Sequence, residues 1–138
     1  MFDQASFIPT DELKAFRDKI QRAAKDRIAP QAPLVDEEEF FDRQVESLLW
    51  DLGLLTLTFP KKYGGYGKGR IVALCMAVEE IAKYCASSAL LLIIQAVGSF
   101  PILHSGSNQL KQKYLPQMSK GRKLVAYLVT EPTAGSDT

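Results

Sequence analysis

Apolar residues recur at helical spacing along most of the chain, and the breaks between the runs are short. Leu13, Phe16, Ile20, Ala23, Ala24 and Ile28 form one stripe, with Lys14, Arg17, Asp18, Gln21, Arg22 and Lys25 on the wetter side. Thr10 caps this run, Asp11 and Glu12 complement its N-terminus, and Pro30 and Pro33 stop it, which predicts a helix over 10–29. A second helix starts between 37 and 42. It carries Phe41, Val45, Leu48 and Leu52, broadened by Leu49 and Trp50, and ends at Gly53 as a left-handed cap. Ile71, Leu74, Val78 and Ile81 predict a third helix over 70–83. Ser87 or Ser88 caps a fourth over 88–104, which is apolar on nearly every side and is expected to be the most buried. Ser107 caps a fifth over 108–119, with Leu110, Tyr114, Leu115 and Met118 inward and Gly121 closing it.

Two segments break the helical period. Residues 54–59 carry β-branched and aromatic residues and suit either a short strand or a buried extended connector. Residues 124–130, Leu-Val-Ala-Tyr-Leu-Val-Thr, predict a strand buried by packing. One strand cannot satisfy its own ladder, so it either pairs with strands from another chain or, the favoured expectation, the rest of its sheet is missing from this one. The fold class is therefore all-α: an antiparallel bundle of about five helices over 1–122, followed by the start of a truncated β domain over 123–138.

Composition narrows the functions. The chain has 138 residues and a net charge of +1 from 17 basic and 16 acidic side chains, which removes the electrostatic case for a nucleic-acid binder. Residues 1–9 lack the basic and apolar regions of a secretory signal. The apolar run at 89–94, continued at 96–97, is short of the roughly 20 residues that span a bilayer. A cytoplasmic protein is the expectation. Two cysteines, Cys75 and Cys85, and one histidine, His104, indicate neither a disulfide framework nor a zinc site. His104 reads as a capping or partly buried residue. Cys75 reads as lying on or beside a buried helix face, and neither thiol has a basic neighbour to activate it. The glycines at 64, 65, 67 and 69 read as a structural turn, because no preceding strand and following helix frame them as a dinucleotide cradle. Glu79 and Glu80 read as a solvated helix face.

The motif Val129-Thr130-Glu131-Pro132-Thr133-Ala134-Gly135-Ser136-Asp137, preceded by Ala126-Tyr127, resembles that of the acyl-CoA dehydrogenase family. Gly53-Leu54 with Pro60 and Tyr63-Gly64-Gly65, Glu79-Glu80-Ile81-Ala82, and Gln112-Lys113-Tyr114-Leu115-Pro116 support the resemblance in order and spacing. It covers the whole chain and about the first third of a family-sized polypeptide. The resemblance implies an FAD enzyme that dehydrogenates an acyl-CoA thioester between its α and β carbons to the trans-2-enoyl-CoA, with hydride passing to flavin. It implies electron-transfer flavoprotein as electron acceptor and a homotetramer or dimer in the intact enzyme. It places Tyr127, Val129 and Thr130 beside the flavin ring, Gly135 and Ser136 at the pyrophosphate, and Ser136 and Tyr127 at the bound thioester. The family's glutamate base matches no residue here, so no catalytic residue and no metal ligand is assigned. Glu131 and Asp137 are expected to organise the loop. An acyl-CoA oxidase or nitroalkane-type oxidase on the same scaffold, and a non-catalytic helical interaction module, are the competing readings.

Overall fold

The computed structural model describes residues 10–67 and 70–137, so the calls on residues 1–9 and on Gly69 lie outside it. Six helices follow in order: α1 (Asp11–Ala23), α2 (Ala32–Glu38), α3 (Arg43–Asp51), α4 (Arg70–Ala82), α5 (Ala86–Ser105) and α6 (Asn108–Ser119).

Local chemistry starts two of them as the sequence predicts, and a third at a cap the sequence reading did not name. The Thr10 hydroxyl accepts from the Leu13 amide at 3.3 Å, and the Ser107 hydroxyl from that of Leu110 at 3.3 Å. The Asp42 carboxylate accepts from the amides of Gln44 and Val45. α1 runs on into a π-helical turn, Ala24–Ile28, closed by the Ala29 amide on the Ala24 carbonyl at 2.8 Å. An inward stripe at Ile20, Ala24 and Ile28 has a four-residue spacing, which drifts around an ordinary α-helix of 3.6 residues per turn. The wider turn slows that drift and keeps all three buried.

Four expectations are corrected. Neither Ser87 nor Ser88 caps α5: the helix starts at Ala86 after Cys85, with no side-chain cap, and the Ser88 hydroxyl goes to the Cys85 sulfur. Pro33 does not end helical structure; it stands in the first turn of α2, where its missing N–H has no partner to lose. Residues 54–59 are neither strand nor extended. Leu54–Thr56 is a 3-10 turn, and the Phe59 amide reaches the Thr56 carbonyl at 2.9 Å, so local bonds satisfy a segment that is buried throughout. The inward stripe of α4 is Ala73, Met76, Ala77, Glu80 and Ile81 rather than one beginning at Ile71, which is exposed.

The main core joins Ile20, Ile28, Leu49, Leu54, Ala77, Ile81 and Leu92, drawn from α1, its π-helical turn, α3, α4, α5 and the 3-10 turn. A smaller cluster of Phe59, Leu115 and Met118 seats α6, with Val125 packed against it. α5 packs against α3, α4, α6 and the 3-10 turn. It has the length and apolarity of a bilayer-crossing helix. Even so, its inward side holds Ser88, Gln95 and Ser99, while Leu90, Ile93 and Ile94 face outward. Among the described residues 122–130 form no ladder, and the one β-bridge joins Glu131 to Ala134.

Candidate functional site

The motif segment is fixed to the bundle at its start, and the bonds that reach furthest into it come from Gln95. Gln95 points inward from α5 and is 2% exposed. Its Nε2 donates to the Lys123 carbonyl at 3.2 Å, and its Oε1 accepts from the Val125 amide at 3.0 Å. A single residue of a parallel neighbouring strand bonds this same pair of groups, a carbonyl and the amide two residues on. One turn further along α5, Gly98 leaves the space that Val125 fills: a Cβ there would lie 2.9 Å from a Val125 methyl. Arg122, at φ 49°, reaches back to Asp51 with an ion pair of 2.6 Å.

Beyond this anchor the residues singled out by sequence lie at the surface. Tyr127 and Val129 are 47% and 42% exposed, and Leu128 between them is 91% exposed. In an extended segment alternate residues share a face, so Tyr127 and Val129 stand on the side of Val125, with Leu128 opposite. Thr130 and Ser136 are exposed. Among the described residues neither hydroxyl makes a side-chain hydrogen bond. Between them the chain turns tightly: the Glu131 amide meets the Ala134 carbonyl at 2.9 Å, and the Ala134 amide returns to the Glu131 carbonyl at 3.2 Å. Nothing lies within 4 Å of where a Gly135 side chain would begin, so backbone there is open to a ligand's approach. Thus the five candidates sit on one short stretch that offers two free hydroxyls, uncommitted backbone and two half-exposed apolar side chains.

A buried carboxylate escaped the sequence reading. Glu80 is 2% exposed, taking Lys83 Nζ at 2.8 Å and facing Arg17 Nε at 3.9 Å, while its Oε2 has no partner among the described residues. The hydrogen bond to Glu80 holds the Lys83 ammonium above its ordinary value of 10.5, reinforced by the charges of Glu80 and Glu79. Lys83 three residues on was the available signal, but it fits Glu79 equally well. Burial, with Glu12 nearby, raises the Tyr66 phenol above its ordinary 10.0. His104 is exposed, with its ring edge-on to Phe100. Cys75 is exposed, correcting its expected place on or beside the inward face, and Cys85 is buried and accepts from the Ser88 hydroxyl. Among the described residues no group of three or more His, Cys, Asp or Glu is placed to hold a metal.

The family model described as acyl-CoA dehydrogenase, N-terminal domain, matches residues 10–122. A cyclohexane-1-carbonyl-CoA dehydrogenase of Geobacter metallireducens is 53% identical over 131 residues, covering 95% of this chain and 34% of that protein. The structure of butyryl-CoA dehydrogenase from Megasphaera elsdenii superposes with a TM-score of 0.85 at 33% identity, covering 95% of this chain and 35% of its own. An acyl-CoA dehydrogenase from Bacillus anthracis, complexed with FAD, gives 0.80 at 30% identity over 99% of this chain and 23% of its own. The chain spans about a third of the length of the curated relatives it matches.

Proposed function

The chain belongs to the acyl-CoA dehydrogenase family through its N-terminal domain, and on that premise we propose that it forms the amino-terminal part of an FAD-dependent enzyme that dehydrogenates an acyl-CoA thioester between its α and β carbons. Residues 123–138 open the middle β domain in this reading. The observation that carries it is the anchored, outward-facing segment from Tyr127 to Ser136, whose free hydroxyls and open Gly135 backbone are the donor set an isoalloxazine edge and a pyrophosphate need.

Bound FAD supplies a hydride acceptor beside the β carbon of the thioester. The Thr130 hydroxyl and neighbouring backbone would hold the polar edge of the ring, and Tyr127 and Val129 would cover its apolar surface and the acyl group. The Ser136 hydroxyl donates to an anionic phosphate oxygen or to the thioester ligand, and Gly135 lets the backbone come close enough to add its N–H. None of these groups takes the α proton; that proton leaves to a carboxylate outside this chain. Glu80 is no substitute, because it is buried between α1 and α4 and committed to Lys83.

The substrate class we favour is a cyclic acyl-CoA. Identity stands at 53% with the cyclohexane-1-carbonyl-CoA enzyme, against 33% with the butyryl-CoA enzyme. An electron-transfer flavoprotein is the acceptor that the family implies, and a homo-oligomer the state of the full-length protein.

Thr130→Val tests the cofactor assignment, because it keeps shape and β-branching while removing the hydroxyl. One net hydrogen bond is worth roughly 0.5–1.5 kcal/mol, so FAD affinity of the full-length protein falls about two- to tenfold and the flavin spectrum shifts. Titration of matched apoproteins with FAD reads this. Equal affinities and identical spectra would take Thr130 out of the site.

A further inference from the structure

The Gln95 carboxamide lies on the inward side of the helix that reads as most apolar, and it makes no bond within that helix. Both of its polar ends go to backbone 28 and 30 residues away, at Lys123 O and Val125 N. Leucine would fill the same space without leaving polar atoms to satisfy, so a buried amide here costs desolvation unless both bonds form. Both form. Register along a strand is strongly specified where one face is buried and weakly specified where neither is, and a slip of one residue exchanges the two faces. Leu124 and Leu128, with 41% and 91% exposure, offer no apolar burial that would resist such a slip. Four features do resist it: upstream, the Arg122–Asp51 ion pair and the Lys123 amide on the Gln117 carbonyl at 3.2 Å; within the segment, the Gln95 amide, which fits the groups of Lys123 and Val125, and the Gly98 recess, which takes the Val125 side chain.

We propose that Gln95 is a positioning residue for the cofactor segment: its buried amide sets the register of residues 123–130 against α5, and so fixes which side chains stand where Tyr127, Val129 and Thr130 meet the flavin. This rests on the FAD reading above for its functional consequence, but the register claim itself stands on the two hydrogen bonds. Gln95 is buried, and its amide is committed to the segment's backbone. It acts through the segment, two residues before Tyr127 at its nearer bond.

The test is Gln95→Met in the full-length flavoprotein, which keeps length and volume while removing donor and acceptor. Two quantities are read: amide hydrogen exchange at Val125, and the flavin absorption spectrum with FAD affinity. The expected result is Val125 exchange about two- to tenfold faster, the loss of one net hydrogen bond, with a shifted flavin spectrum and FAD held several-fold more weakly. If the variant does not accumulate folded, Gln95→Glu is read in the same way. It retains an acceptor for Val125 but turns a carboxylate on the Lys123 carbonyl, and the same changes are expected. A merely structural glutamine would lower stability and leave the spectrum of the folded fraction unchanged; that outcome, or unaltered Val125 exchange, overturns the proposal. Wild-type protein that binds no FAD would instead defeat the cofactor reading, and Val125 exchange would still decide the register.

Discussion

Gly65 has no room for a side chain: a Cβ would run into the Phe59 carbonyl and lie 2.7 Å from the Phe59 Cα. Phe59 is fully buried beside α6 and cannot withdraw. Gly65→Ala should therefore destabilise the chain by about 1–3 kcal/mol, as overpacking does, read as a lowered urea midpoint. The need for glycine there was legible, since Tyr63-Gly64-Gly65 announces a turn and Gly64 and Gly67 do take positive φ, 84° and 88°. Glu80 was not legible. Adjacent glutamates on a helix differ by 100° in direction, and only packing against α1 decides which one is inward. Because the Lys83 pKa is raised in the folded chain, its ammonium stabilises the fold below the ordinary value of 10.5, and that contribution is lost as pH rises through the raised one. Lys83→Met should melt below wild type at pH 8, and the gap should close above pH 10.5. A gap independent of pH would show that Lys83 acts through its stem alone.

At the scale of elements, capping chemistry carried the sequence reading furthest. α6 begins and ends where Ser107 and the approach to Gly121 place it, because caps are local and need no knowledge of the partner surface. Composition misled where tertiary contact decides. α5 buries seven of its 20 residues against one of 13 in α1, as its apolarity predicts, yet α4 buries five of 13 and matches it. An all-round apolar helix gives no moment to say which side turns inward, and here the inward side includes the serines and Gln95. The two sides can be separated by mutation. Leu92→Ala, at a fully buried position, should cost about 2–5 kcal/mol, whereas Leu90→Ala, half exposed, should cost less than about 1 in the 138-residue chain. Urea denaturation of the two variants measures both. The strand predicted over 124–130 likewise needed what sequence periodicity does not contain: its described neighbour is a helix side chain, Gln95, and not another strand.

For the whole molecule, the chain holds the motif segment on its surface and assigns no base, so the 138-residue piece supplied with FAD and acyl-CoA thioesters should show no enoyl-CoA formation with an artificial acceptor. The candidate residues were legible as a motif but not as a site, because Tyr127, Val129, Thr130, Gly135 and Ser136 are all exposed along one surface segment that needs something placed against it. In the proposed function that something is FAD and a thioester. Anaerobic titration of the full-length protein puts it to the test: cyclohexane-1-carbonyl-CoA, with straight-chain acyl-CoAs alongside, is added to protein reconstituted with FAD while the visible flavin band is followed. The account predicts stoichiometric bleaching, strongest with the cyclic thioester. Protein that retains no flavin at saturating FAD, or a flavin band unmoved by every thioester, would contradict it.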